Sequence, residues 1–204
     1  GLSGNISLET YIAYLTQAYH HVKHTVPLMM ACKAKMPVEK SLFHDALDEY
    51  IEEEIGHENW ILADIKNSGG NMIAAKNSAP NLPTELMVSF VYDYINRINP
   101  VGFFGMVFVL EGTSVELATK GAKAVAKNLN LGEECFSYLT SHGDLDISHL
   151  SFFESLMKQV DDIEDQNSII HVAKMVFKLF GEMFASIPLT MPKNNKELAD
   201  RSEE

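Results

Sequence analysis

Ser141-His142-Gly143-Asp144-Leu145-Asp146-Ile147-Ser148-His149 sets two histidines and an aspartate at positions i, i+4 and i+7. On a helix this spacing stacks His142, Asp146 and His149 on one face. Two imidazoles and a carboxylate pointing the same way make most of a ligand shell for iron or manganese. Leu145, Phe152, Phe153 and Leu156 add apolar surface beside the trio, so this edge of the helix is expected to be buried.

Helical periodicity continues outward in both directions. From Ser7, an N-cap, the residues Ile12, Leu15, Tyr19, Val22, Val26 and Met29 recur at helical spacing to about Ala34, with a kink expected at Pro27. A second long helix is expected from about Val38 to Asn67, closed by Ser68-Gly69-Gly70. Turn formers crowd the next dozen or so residues, to about Pro83, which read as a loop. A third helix then runs to about Asn99, where Pro100 ends it. The fourth, from about Val101 to Leu129, opens with Val-Gly-Phe-Phe-Gly-Met-Val-Phe-Val-Leu-Glu, apolar on every side and therefore central. A short helix from about Glu133 to Thr140 precedes the one carrying the opening stretch, which reaches about Val160. A last helix covers about Gln166 to Ser186, and Pro188 onward reads as a polar tail. Alternation at period two never persists beyond a few residues. The expected fold is all-α, a single domain over residues 1–204 built as a compact bundle of about seven helices, with its site between them.

Composition narrows the function. Of 204 residues, 46% are hydrophobic and 22% charged, an ordinary globular balance. A formal net charge of −12 with only 16 dispersed basic residues argues against a nucleic-acid surface. Cys32 and Cys135 stand far apart and form neither a zinc ribbon nor a disulfide framework, so a reducing cytoplasm is the expected compartment. The longest apolar run, Val101 to Leu110, falls short of the roughly 20 residues of a membrane span, and Gly1 to Ser7 lacks the basic start and apolar run of a signal peptide.

Two further elements carry ligand-type residues. Glu54-x-x-His57 has the i, i+3 spacing by which one helix offers a carboxylate and an imidazole to a common centre, although Glu53 is also in reach of the same face. Acidic residues three before a histidine are common on solvated faces, so this pair gains weight only in company. Glu111 is a lone carboxylate ending the apolar run of the fourth helix, where desolvation calls for a cation or a proton. Glu54, His57, Glu111, His142, Asp146 and His149 together form an oxygen and imidazole set suited to iron or manganese, whereas structural zinc more often recruits cysteine. A histidine from the first helix, His20, His21 or His24, would bring the total to seven, and two ions could share the set, bridged by Glu111 or another carboxylate.

With these residues the chain resembles the heme-oxygenase-like superfamily, which includes TenA thiaminases and PqqC, and within it the diiron oxidases and oxygenases. That pattern is a Glu-x-x-His on an early helix, a lone Glu on a central helix and a later His-x-x-x-Asp-x-x-His, matched here by Glu54 and His57, by Glu111, and by His142, Asp146 and His149. Tyr19-His20 followed by Val22 is similar to the first-helix segment of iron-containing redox proteins and makes His20 the expected ligand there, with His24 as substitute or support. Several members carry a carboxylate at that place; this chain offers only histidines. The resemblance implies iron, two ions in the usual case with manganese as the other metal, O₂ as co-substrate, and a small organic substrate such as an amine, an amino acid or a fatty acid.

Three rivals share the scaffold. A thiaminase-like hydrolase would use Cys135 as nucleophile with Glu182 as its late acidic residue. A heme oxygenase would need only a proximal histidine, leaving Glu54, Glu111 and Asp146 without a role. A non-catalytic interaction protein would hold no metal. No nucleic-acid or membrane partner is expected, and pairing into a homodimer is common for helical folds of this kind. Met29, Met30 and Met106 offer themselves as pocket lining or as core filler, and Tyr50, Tyr92 and Tyr94 as hydrogen-bonding neighbours of the site or as packing.

Overall fold

The computed structural model describes residues 6–190, apart from the side chains of Glu116 and of residues 142–148. Nine α-helices follow one another among the described residues: α1 Leu8–Val22, α2 Thr25–Lys35, α3 Ser41–Glu54, α4 His57–Asn67, α5 Met72–Asn77, α6 Leu82–Arg97, α7 Phe104–Leu129, α8 Ser137–Met157 and α9 Ile163–Ala185. Single 3₁₀ turns, Pro100–Phe103 and Glu133–Cys135, lead into α7 and α8. No strand occurs among the described residues, in keeping with the all-α expectation, and no single helix is long and apolar enough to cross a membrane.

Nine helices replace the expected seven because both long N-terminal helices break. The first breaks at Lys23 and His24, one turn before Pro27 rather than at it. Proline lacks an N–H, and its ring collides with the carbonyl four residues back, here that of Lys23. Pro27 then sits in the first turn of α2, where it is tolerated. The second breaks at Ile55 and Gly56, with Gly56 at φ 92°, a left-handed conformation that a Cβ disfavours. Residues 72–77, expected as loop, form α5, capped by the Asn71 side chain on the Ala74 amide. The expected helix over 133–140 shrinks to a 3₁₀ turn, and its second half joins α8. Ser7 caps α1 as expected, accepting from the Thr10 amide at 3.1 Å. Just past Pro188, Thr190 donates its amide to the Thr10 hydroxyl and fastens the start of the expected tail to α1.

Two apolar clusters form the interior. One gathers Leu28, Leu47, Val91, Phe104, Val109, Phe153 and Val176 from α2, α3, α6, α7, α8 and α9. The other gathers Tyr11, Leu15, Ile61, Ala118, Phe136 and Leu139 from α1, α4, α7 and α8. The chain passes from one to the other at five places: between α1 and α2, between α3 and α4, between α5 and α6, within α7 between Val109 and Ala118, and within α8 between Leu139 and Phe153. His21, Glu54, His57, Glu111 and His149 lie at or beside these crossings.

Candidate metal centre

Glu54 ends α3 and His57 opens α4, so their i, i+3 spacing spans a helix break rather than one continuous helix. The turn at Gly56 brings His57 Nδ1 within 3.1 Å of Glu54 Oε2, and the imidazole stacks on Trp60 with ring centroids 4.0 Å apart. Both residues are buried. Glu111, two turns into α7, and His149, from α8, are also buried, with Glu111 Oε1 3.5 Å from His149 Nδ1. Glu53, half-exposed, places Oε2 2.7 Å from His149 Nε2. The choice left open between Glu53 and Glu54 therefore resolves into two placements: Glu54 meets His57, and Glu53 meets His149.

Tyr50, one turn before Glu54, turns its ring edge toward His149 at 5.8 Å. Burial, followed by the charges of Glu111, Glu53, Glu49 and Glu54, pushes its phenol well above the ordinary range and keeps it protonated. Tyr92 and Tyr94 are elsewhere, the first with its hydroxyl 3.3 Å from His24 Nδ1 and the second stacked on His171.

The helix-one histidines His20 and His21 take different places. His20 is buried, but it does not line the cavity described below. Its Nδ1 lies 3.2 Å from the Lys23 ammonium, which can only donate, so Nε2 carries the proton and donates to Ser78 Oγ at 2.8 Å; Ser78 in turn donates to the Ala75 carbonyl. Burial, then Lys23 and His24, lower its pKa to about 4. His20 thus fastens α1 to the end of α5. His21, its neighbour, is the histidine that lines the cavity with Glu54 and Glu111, its ring edge-on to Phe180 at 5.8 Å. Periodicity could not make this choice, because Gln17 to Val22 are all buried and the last turn of α1 has no exposed face to orient it.

His142 and Asp146 belong to α8, but their side chains lie outside the described residues. Among the described residues, no three carboxylate, imidazole or thiolate groups converge tightly enough to hold a metal ion as they stand. The donor chemistry nonetheless fits iron: carboxylates and imidazoles, buried, drawn from separate helices and free of cysteine. Cys135 packs with Tyr11, Phe136 and Leu139 in the second apolar cluster and does not line the cavity; Glu182 is half-exposed beside Lys178. Neither is among the residues that line the cavity.

Glu54, Glu111 and His21 form part of the wall of a cavity of about 570 Å³ between α1, α7 and α9. Met29, Phe103, Met106, Val107, Leu110 and Phe180 make the wall around them apolar. Met30, by contrast, points to solvent.

Solved structures share this architecture. A domain of unknown function with a heme oxygenase-like fold from Shewanella denitrificans superposes with a TM-score of 0.81 at 22% identity, covering 99% of this chain and 84% of its own. A TenA homologue from Pseudomonas syringae pv. tomato gives 0.71 at 12% identity, with 90% and 79% covered. A CADD-like protein of unknown function from Nostoc punctiforme gives 0.68 at 21% identity, with 91% and 84% covered. At these identities the likeness establishes a heme oxygenase-like fold. Among curated proteins no relative matches. Residues 12–181, which hold every buried donor described above, match the family described as iron-containing redox enzyme, and the chain belongs to that family.

Proposed function

We propose that this protein is a non-heme iron oxidase or oxygenase, with two iron ions in its complete form, that uses O₂ to oxidise a small organic substrate held in the cavity beside the centre. The observation that carries the reading is the burial of Glu54, His57, Glu111 and His149 together where the two apolar clusters meet, with two of the carboxylates facing one cavity. Buried acidic groups in such number are costly unless a cation joins them. Glu54, His57, Glu111 and His149 would hold the metal, joined by His142 and Asp146 from the spacing of α8. Glu111 would bring to them the carboxylate of α7, beside His149.

Bound iron supplies the electrons and open coordination positions that O₂ needs. The chain does the rest. Glu53 beside His149 and Trp60 against His57 fix the orientation of the two imidazoles. The apolar wall excludes water from the reacting carbon and orients an apolar substrate body toward Glu54 and Glu111. Manganese fits the same donors, so both metals belong in the test.

Protein purified metal-free, loaded anaerobically with Fe(II) or Mn(II) and desalted, should retain about two equivalents of iron by elemental analysis. Glu111→Ala and His149→Ala should retain less than a quarter of that while keeping wild-type helicity. Exposure of the loaded protein to air should then consume O₂. A wild-type protein that elutes without metal would overturn the proposal.

A further inference from the structure

Gly121 and Gly181 lie inside α7 and α9, where glycine weakens a helix relative to alanine. Neither position demands it within the fold: among the described residues, a Cβ built on either meets nothing within 4 Å. Both nevertheless line the same cavity. Around them stand side chains far more exposed than their chemistry favours, Phe177 at 64%, Leu117 at 46%, Phe184 at 46% and Leu189 at 80%, all on the cavity wall.

This is the geometry of an entrance. Residues from Met106 to Val125 of α7 line the cavity, a span of roughly 28 Å along the helix at 1.5 Å per residue. Glu111 lies near one end of that span and Leu117 and Gly121 farther along. On the opposite wall an aromatic track links the interior to the rim, from His21 to Phe180, from Phe180 to Phe184 at 5.0 Å, and from Phe184 to Tyr14 at 5.6 Å. No lysine or arginine is among the described residues that line the cavity. The track is aromatic, and the carboxylates and imidazole of the described wall are those of Glu54, Glu111 and His21.

We infer that the cavity is loaded through a mouth between α7 and α9 held open by Gly121 and Gly181, and that its ligand is an elongated, predominantly apolar molecule whose body lies along Phe180, Phe184 and Leu117. Only the assignment of the inner end to chemistry rests on the proposed function; the mouth stands on its own geometry.

The test uses the uncharged fluorophore N-phenyl-1-naphthylamine with the metal-free full chain. Wild type should bind it saturably, with enhanced, blue-shifted emission. Gly121→Leu and Gly181→Leu should each weaken binding at least tenfold while melting at or above the wild-type temperature, and Gly181→Ala should melt higher with binding nearly intact. Should either leucine variant fail to fold, Phe177→Lys and Leu117→Lys, at exposed rim positions, should show the same tenfold loss. A wild type that does not bind the probe, or folded leucine or lysine variants that bind within threefold of wild type, would overturn the inference. Anaerobic Fe(II) titration of the same variants should give wild-type iron content, so a chain that binds the probe as described but never retains iron would sink the oxygenase reading and leave the mouth standing.

Discussion

His20 and His21 show how much one residue's placement changes. Side by side in the last turn of α1, one closes a hydrogen-bonded chain to Ser78 and the other faces Glu54 and Glu111 across the cavity. The neutral form of His20 accepts from Lys23, and its pKa falls to about 4 from the ordinary 6.5. The unfolded chain therefore binds a proton on this residue between pH 6.5 and pH 4 that the folded chain refuses. The stability it contributes is fully present above 6.5 and is lost as pH falls toward 4, a difference on the order of 3 kcal/mol at one pKa unit per 1.36 kcal/mol. Urea melts at pH 7 and pH 4.5 should show wild type losing more stability than His20→Gln across that interval, with iron retention of the variant at pH 7 unchanged. Equal acid sensitivity in the two proteins would remove the argument.

At the scale of elements, α4 does two things at once. Its first residue, His57, meets Glu54, and two turns later Asp64, fully buried, receives the start of α8: the Ser137 amide at 3.0 Å, the Tyr138 amide at 2.9 Å and the Ser137 hydroxyl. A carboxylate on the first amides of a helix also meets the positive end of its dipole. Burial raises the Asp64 pKa and these three bonds oppose the rise. Asp64→Ala should cost about 2 to 3 kcal/mol in urea unfolding, because it strands buried donors, with Asp64→Asn intermediate. A change below 0.5 kcal/mol would mean that water replaces the cap. Much of this level was legible beforehand: the order and class of the helices, the Ser7 cap and the central apolar α7 followed from period and punctuation. The breaks were not. Pro27 signals a kink, but its steric reach falls one turn upstream, and nothing around Gly56 separates a left-handed break from a tolerated helical glycine except the packing of α3 and α4 on different cores. For the site, residue types and order were readable from spacing, whereas the helix-one histidine and the pairing of Glu53 with His149 depend on how α1 and α3 rotate in contact with their neighbours.

For the whole molecule, the polar residues lie where the chain passes between two apolar clusters. The boundary is crossed by α7 and α8 and by the α1–α2 and α3–α4 breaks, so a cation held by Glu54, His57, Glu111 and His149 would tie both clusters together at several points. The buried carboxylates of Glu54 and Glu111 each lie against an imidazole, Glu54 against His57 and Glu111 against His149. Binding to the folded state only stabilises by about 2.7 kcal/mol at a hundredfold excess over Kd. For a chain of this size each kcal/mol raises Tm by roughly 2 to 4 °C. Anaerobic Fe(II) should therefore raise the wild-type Tm by roughly 5 to 10 °C, and a chelator should reverse the shift. Glu111→Gln should behave differently from either wild-type state. Removing a buried charge relieves desolvation, so its metal-free Tm should equal or exceed that of wild type, while its response to Fe(II) should fall to a third or less. A metal-free variant that melts far below wild type would show Glu111 to be a packing residue, and an undiminished Fe(II) response would show that the metal lies elsewhere; the metal reading requires the crossing of these two effects, which no purely structural role for Glu111 produces.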